Sequence, residues 1–179
     1  MSIQIYILSK LIEENNYPYK LKKELSEPFP FDKIGNLTES KLYYHFESLS
    51  KQGFIEPVEV IKEENRPDKQ VFTITEKGRE NLPKKIYSLF EKGNAVTDFI
   101  VGLFFLQFVD KSRIVRILES KLDDMTQKLD NLKSVYEQIE VDDEKAPMIE
   151  ITNDYVMDKF NGEVAAIQRI VEKLKQEIK

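Results

Sequence analysis

The chain has 179 residues, one histidine, no cysteine and a formal net charge of −5. These counts exclude a disulfide framework and a thiolate metal site, and they leave no histidine cluster for zinc, so neither a metal nor a cofactor is expected. A secretory leader is not expected, because residues 2–8 lack a basic start and a small-residue cleavage site. The most apolar run, residues 95–109, is shorter than the ~20 residues that span a bilayer. A cytoplasmic protein without a membrane segment is therefore expected.

Two short helices are predicted at the start of the chain. Apolar residues from Ile3 to Ile12 recur at helical spacing and predict a first helix that ends near residue 15. Pro18 suits the first turn of a second helix, because the N–H that proline lacks is unsatisfied there anyway. Tyr19 is expected to pack inward in that helix. Three lysines are expected to face outward: Lys20, Lys22 and Lys23.

The segment 37–55, LTESKLYYHFESLSKQGFI, predicts a third, amphipathic helix. Its apolar stripe consists of Leu42, Phe46 and Leu49. Asn36 or Thr38 is expected to cap its start, and Gly53 suits a left-handed residue that ends it. The opposite face has hydrogen-bonding groups, an aromatic ring and positive charge: Ser40, Lys41, Tyr44, His45 and Ser48.

A two-stranded turn is predicted to follow this helix. Residues 54–61 and 70–75 alternate like strands, and the polar run 63–68 between them predicts a turn. Thr75 can cap the next helix, which is expected to run to about Glu91.

Four of these motifs, in order over residues 3–90, resemble PadR-type transcriptional regulators. The third-helix segment resembles the recognition segment of that family, and Tyr17-Pro18-Tyr19-Lys20-Leu21 lies where the family usually has His-Gly-Tyr-x-Leu. Arg66-Pro67-x-Lys69 and the segment 71–79 resemble its wing and exit helix. The resemblance implies a winged helix-turn-helix joined to a C-terminal helical dimerisation domain. It also implies a homodimeric repressor that responds to a small hydrophobic or phenolic effector.

The residues expected to contact double-stranded DNA lie on three predicted elements. Hydroxyls and backbone amides at the start of a helix bind phosphate. The second helix of a helix-turn-helix crosses the phosphate backbone of the DNA, so its lysines can contact phosphates. An arginine of the wing commonly enters the minor groove. The family resemblance places a tyrosine at position 43 near the DNA. The alternative for Tyr43 is a partly buried ring with an exposed hydroxyl, and for the other residues it is an ordinary solvated surface. The predicted contacts are Tyr17, Lys20, Lys22, Lys23, Thr38, Ser40, Lys41, Tyr43, Tyr44, His45, Arg66 and Lys69.

The second half is predicted to be entirely helical. Residues 99–108 read as a helix that is apolar nearly all round, either core and dimer interface or the lining of an effector pocket. Apolar stripes over 111–138 and from Thr152, the expected cap, to the end predict two long helices around a loop at 141–147. Folded back on each other, these helices still expose apolar surface, which predicts a homodimer. The expected dimer contacts are Phe99, Leu103, Leu106, Leu118, Leu122, Met125, Leu129, Phe160, Val164, Ile167 and Leu174.

The expected fold class is mainly α with a small two-stranded β wing, plus an antiparallel C-terminal helical domain. The predicted domains are 1–91, which binds DNA, and 92–179, which dimerises. Residues 1–91 hold 14 basic and 15 acidic residues and the rest hold 13 and 17, so the excess acid lies mostly in the second half. The alternative is a protein-interaction adaptor whose winged helix does not bind DNA, which the acidic balance favours. An enzyme is disfavoured because no catalytic constellation is present.

Overall fold

The computed structural model describes residues 2–25, 39–62, 68–138, 142 and 144–178. The chain forms two compact units, Met1–Asp110 and Lys111–Lys179. Asn36 and Thr38, the predicted caps of the third helix, lie outside the described residues.

Within its described residues, the first unit consists of helices and one antiparallel hairpin. It ends in a single 3₁₀ turn at Leu106–Phe108. Its elements are α1 (Ser2–Glu13), α2 (Pro18–Glu24), α3 (Glu39–Lys51), β1 (Ile55–Ile61), β2 (Lys69–Ile74), α4 (Glu76–Lys92) and α5 (Val96–Leu103).

Helix α1 is the centre of the first unit. It packs against α3, α4, α5 and β2, which explains why its sequence is apolar on more than one side. Ile5, Ile7 and Leu8 are fully buried. The hydroxyl of the equally buried Tyr6 donates to the carbonyl of Leu21 at 3.2 Å, which ties α1 to α2. Burial raises the pKa of Tyr6, so the phenol stays protonated and keeps this hydrogen bond.

The third helix and the hairpin have the predicted organisation. Leu42, Phe46 and Leu49 are buried, and Gly53, two residues after the end of α3, takes a left-handed φ of 72°. In the hairpin, β1 pairs with β2 from Ile55 opposite Ile74, with a register shift between Pro57 and Glu59. Asn16 and Phe72 exchange two backbone hydrogen bonds of 3.0 and 2.8 Å, which fasten β2 to the segment before α2. This hairpin is the predicted wing.

Thr75 is the predicted cap of α4, and the structure confirms it. Its hydroxyl accepts from the Gly78 N–H at 3.1 Å and donates to the Gly53 carbonyl at 2.7 Å. A Cβ on Gly78 would lie 2.1 Å from the carbonyl oxygen of Phe54, so no larger residue fits there without a backbone shift. The start of α4 is therefore fastened to the end of α3.

Two local predictions in the first unit are wrong. Tyr19 is 44% exposed, because Pro18 and Leu21 take the buried positions of α2. The helix predicted over 99–108 ends at Leu103. Residues six positions apart point to different sides of a straight helix, whereas the turn after Leu103 brings both Phe99 and Phe105 into buried positions.

The second unit is an antiparallel pair of long helices, α6 (Lys111–Glu137) and α7 (Ala146–Ile178). The start of α6 lies beside the end of α7, with Lys111 Nζ 2.8 Å from Glu177 Oε2 and Lys175 Nζ 2.6 Å from Glu119 Oε1. The buried apolar residues of the unit are Ile114, Val115, Leu118, Leu129, Ile167, Val171 and Leu174. The predicted fold class, mainly α with a two-stranded wing and an antiparallel helical pair, is confirmed.

The start of α7 differs from the prediction. The helix begins at Ala146, since Pro147 is tolerated in a first turn, and Thr152 lies inside it rather than at its cap. The Thr152 hydroxyl donates to the carbonyl of Met148 at 2.7 Å, the usual interaction of a threonine within a helix.

The compact units also divide at a different place from the predicted domains. The structure divides the chain after Asp110, whereas the sequence suggested a boundary at 91/92. Helix α5 packs against α1 and α4, so it belongs to the first unit. The assignment of DNA binding and dimerisation to separate domains stays a prediction.

No helix in the described ranges is long and apolar enough to cross a membrane. The same residues contain no group of three or more histidine or acidic side chains placed to hold a metal ion.

Candidate nucleic-acid interface

A groove of about 1130 Å³ runs between α2, α3 and the wing. Aromatic rings and lysines from all three elements line it, together with two acidic residues. The lining consists of Tyr17, Pro18, Tyr19, Lys23, Tyr43, Tyr44, Phe46, Glu47, Ser50, Lys51, Asp68, Lys69, Gln70 and Phe72.

Two lysines of the groove lie over tyrosine rings. Lys69 Nζ on the wing is 5.5 Å from the ring centre of Tyr17, and Lys23 Nζ is 4.7 Å from that of Tyr19. Each such cation–π contact is worth about 0.5–1 kcal/mol at an exposed site. The tyrosines therefore hold positive charge beside the groove without neutralising it, as an anion-binding surface requires.

The exposed face of α3 forms one wall of the groove. Tyr43 and Tyr44 are 46% and 65% exposed, so their hydroxyls can reach a ligand. Lys51 forms an ion pair with Glu47 one turn earlier, which lowers the pKa of Glu47 and raises that of Lys51. This pairing offsets one of the two acidic groups, and three lysines face two acids in the lining.

His45 lies next to this face and is half-buried. Its Nδ1 is 3.5 Å from Gln4 Nε2 on α1, and its ring meets that of Tyr44 edge-on at 5.2 Å. Burial lowers the pKa of His45, and the positive charges of the chain's amino terminus, Lys41 and Lys85 lower it further. The sequence predicted a surface or DNA-facing histidine, whereas the structure places one ring nitrogen against α1.

The groove unites five of the residues predicted to contact DNA: Tyr17, Lys23, Tyr43, Tyr44 and Lys69. Five others do not line it: Lys20, Lys22, Ser40, Lys41 and His45. Among these, the ammonium of Lys20 pairs with Glu14 on the connection after α1, and this hydrogen bond raises the pKa of Lys20. Thr38 and Arg66 lie outside the described residues. Direct contact of all twelve residues with DNA stays a prediction.

Six polar lining residues were not among the predicted DNA contacts: Tyr19, Glu47, Ser50, Lys51, Asp68 and Gln70. Lys51 is one helical turn beyond Glu47 and two beyond Tyr44, so helical spacing alone could have placed it on the same face as these two residues. No local pattern indicated Gln70, because the face of a wing strand that borders α2 depends on how the hairpin packs.

The residues predicted for dimerisation fall into two groups. Five are buried within a single chain and stabilise its own core: Phe99, Leu118, Leu129, Ile167 and Leu174. Phe99, for example, packs on Phe90 with ring centres 5.2 Å apart. Six are partly exposed: Leu103, Leu106, Leu122, Met125, Phe160 and Val164. The most exposed large apolar side chains described in the second unit were not among the predicted dimer contacts: Val135, Met148, Ile151 and Tyr155, at 55–66% exposure.

Residues 7–84 match the model of the family described as the transcriptional regulator PadR-like family. No curated protein matches the chain.

Several solved structures are similar to the chain over nearly its full length. Bacillus subtilis PadR in complex with operator DNA is 16% identical, with 97% of this chain and 99% of that one covered and a TM-score of 0.44. The protein smu.1604c from Streptococcus mutans UA159 is 21% identical, with 94% and 98% covered and a TM-score of 0.43. Bacillus subtilis PadR in complex with p-coumaric acid is 15% identical, with 98% and 99% covered and a TM-score of 0.40.

Proposed function

We propose, from the match of residues 7–84 to the model of the transcriptional regulator PadR-like family, that this chain binds an operator in double-stranded DNA as a homodimer and represses a promoter by occluding it. The observation that carries this proposal is the groove between α2, α3 and the wing, where tyrosines and lysines from three elements line one surface.

In this proposal α3 enters the major groove. Its buried stripe holds it against α1, so Ser40, Lys41 and Tyr44 on its exposed side can approach base edges and phosphates. Lys23 on α2 and Lys69 on the wing then face the phosphate backbone on either side of α3. Lysine and tyrosine contacts with phosphates fix the position of the domain, and contacts with base edges supply sequence preference.

The homodimer is supported by the second unit. Met148, Ile151 and Tyr155 recur at helical spacing on α7 and are 61–66% exposed, so they form an apolar stripe on the outside of the helical pair. A second copy would bury this stripe on both chains through one two-fold axis. The two winged units would then contact half-sites on one face of the duplex, ~34 Å or more apart.

A phenolic effector is part of the same proposal, and it comes from the family resemblance. Such a ligand can change operator affinity only if it binds one conformation of the dimer more tightly than the other. Thermal-shift and gel-shift titrations with p-coumaric acid test this step. We expect a raised melting temperature together with weaker operator binding, and no change in either quantity would contradict it.

Gel shifts with the DNA upstream of the chain's own reading frame, at several salt concentrations, test DNA binding. We expect a sequence preference and a steep loss of affinity with salt, because lysine–phosphate contacts release counterions. Selection of bound oligonucleotides from a random pool would define the operator. Absence of binding at low salt would contradict the proposal and favour the protein-interaction adaptor.

Lys41→Ala is the residue-level test, with Lys128→Ala as its control. Both lysines are exposed, but Lys41 is on α3 and Lys128 is on α6. We expect Lys41→Ala to weaken operator binding and to reduce the slope of log affinity against log salt by about 1, the value for one lost phosphate contact. The control should bind like the unmodified protein. Undiminished binding by Lys41→Ala would remove this residue from the interface.

A further inference from the structure

Three side chains from three helices, none of which lines the groove, form a polar chain. Lys85 Nζ on α4 donates to Gln4 Oε1 on α1 at 2.8 Å, and Gln4 Nε2 lies 3.5 Å from His45 Nδ1 on α3. All three side chains are half-buried. The only histidine of the protein is thereby connected to the helix that follows the wing.

The ammonium of Lys85 determines which way the Gln4 amide points. An ammonium has only donors, so the atom that faces Lys85 must be the carbonyl oxygen of Gln4. Lys85 Nζ also lies 5.2 Å from the ring centre of Phe54, a cation–π contact that favours this position of the ammonium. The NH₂ group of Gln4 is then the one that faces His45.

This orientation selects one form of the imidazole. An NH₂ group only donates, so His45 Nδ1 must accept and cannot carry a proton. The single ring proton of neutral His45 is then on Nε2. The positive charges of Lys41 on its own helix, Lys85 on α4 and the chain's amino terminus all lower the pKa of His45 and oppose a second proton. Tyr44 contributes only its uncharged ring edge.

We propose that Gln4 is a positioning residue that holds His45 in the neutral Nε2–H form. Position 45 of α3 is then a hydrogen-bond donor in DNA recognition, which selects an acceptor on the base edge such as guanine O6 or N7 or thymine O4. The part about base preference rests on the proposed function, whereas the form of the imidazole does not depend on it.

Nitrogen-15 NMR of the intact protein without DNA tests the form of the imidazole, and the single histidine makes its assignment unambiguous. At neutral pH we expect a protonated-type shift for Nε2 and an unprotonated-type shift for Nδ1. In Gln4→Glu the new carboxylate only accepts, so the proton should move to Nδ1 and the pKa of His45 should rise. A proton on Nδ1 in the unmodified protein, or an unchanged form in Gln4→Glu, would overturn the proposal.

Lys85→Met provides a second test that leaves Gln4 in place. Without the ammonium the amide can turn over, so a mixture of the two imidazole forms is expected. Lys84→Met removes a neighbouring exposed lysine and is the matched control, which should keep the Nε2–H form. If Lys85→Met retains the pure Nε2–H form, Lys85 does not orient Gln4 and that step is refuted. Circular dichroism establishes that each variant is folded before its spectrum is interpreted.

Base preference is tested on the same proteins by selection from a random pool. His45→Gln can place an amide donor near the position of Nε2 and should keep the preferred base. His45→Met, which has no donor, should lose the preference by about tenfold, the lower range for one base contact. Equal preferences in His45→Gln, His45→Met and the unmodified protein would overturn the role in recognition. Absence of DNA binding by the unmodified protein would instead refute the proposed function, and the NMR result on the imidazole would still hold.

Discussion

In residues 1–110 one central helix is covered on several sides, whereas the two helices of residues 111–179 run alongside each other as an antiparallel pair. Helix α1 buries Ile5, Ile7 and Leu8 completely. Helix α7 buries three residues and leaves Ile151 and Tyr155 more than 60% exposed. In a pair of helices, each helix buries only the stripe of side chains that faces the other helix. The first unit therefore surrounds its central helix with its own elements, whereas α7 keeps an exposed apolar stripe on its outer face.

The largest loss of stability is expected from one of two aromatic residues on α3, the buried Phe46, and not from the exposed Tyr44. Phe46 is 2% exposed and packs on Phe72 with ring centres 5.3 Å apart, whereas Tyr44 is 65% exposed. Phe46→Ala should lower the stability of the first unit by about 3–5 kcal/mol, because it leaves a cavity in the core. Tyr44→Ala should change stability by less than about 0.5 kcal/mol and weaken only operator binding. Urea unfolding and gel shifts on both variants check this pair, and equal losses of stability would contradict the assignment of core and surface.

The next effect concerns the apolar stripe of α7. The double variant Ile151→Glu, Tyr155→Glu should weaken self-association by about a hundredfold or more, because two apolar side chains no longer enter an interface. Sedimentation across a concentration series measures it. Asn161→Glu with Gln168→Glu adds the same charge at exposed positions of the same helix and is the control. If Ile151→Glu, Tyr155→Glu leaves the dimer unaffected, the interface lies elsewhere and the exposed stripe of α7 is not part of it.

A smaller effect is expected at the start of α4. Thr75→Ala removes the cap hydrogen bonds to Gly78 and Gly53 and should cost about 1 kcal/mol. Thr75→Ser keeps the hydroxyl and should recover most of the loss. Thermal unfolding of the first unit measures both variants. If serine and alanine destabilise equally, the methyl group of Thr75 matters rather than its hydrogen bonds.

The smallest effect is a pH dependence of stability at the end of the helical pair where α6 begins and α7 ends. The hydrogen bond from Lys111 lowers the pKa of Glu177 below its usual 4.5. A lowered folded-state pKa contributes stability above pH 4.5, and this contribution is lost as the pH falls through the folded-state value. The melting-temperature difference between the unmodified protein and Glu177→Gln should therefore shrink in acid. Glu172→Gln, which changes an exposed glutamate of the same helix, is the control. A difference that is constant with pH would contradict the role of the pair.

Local patterns determined most of the first unit. Three features of this unit depend only on neighbours in sequence, and the structure confirms each of them. They are the buried stripe of Leu42, Phe46 and Leu49, the left-handed Gly53 and the cap at Thr75. The family resemblance stated on four motifs is confirmed by the match over residues 7–84. Those motifs are short and their chemistry is local, so the sequence alone was sufficient.

Only the tertiary structure decided where side chains meet across elements. Helical period could not show that the chain turns after Leu103, because the burial of Phe105 depends on other segments. It could not show that Tyr19 is exposed beside Lys23. It also could not connect Gln4 with His45, since they lie 41 residues apart in the chain and contact one another only because α1 packs on α3. Periodicity identifies which face of an element is apolar, whereas the neighbours of that face follow from the packing of the whole unit.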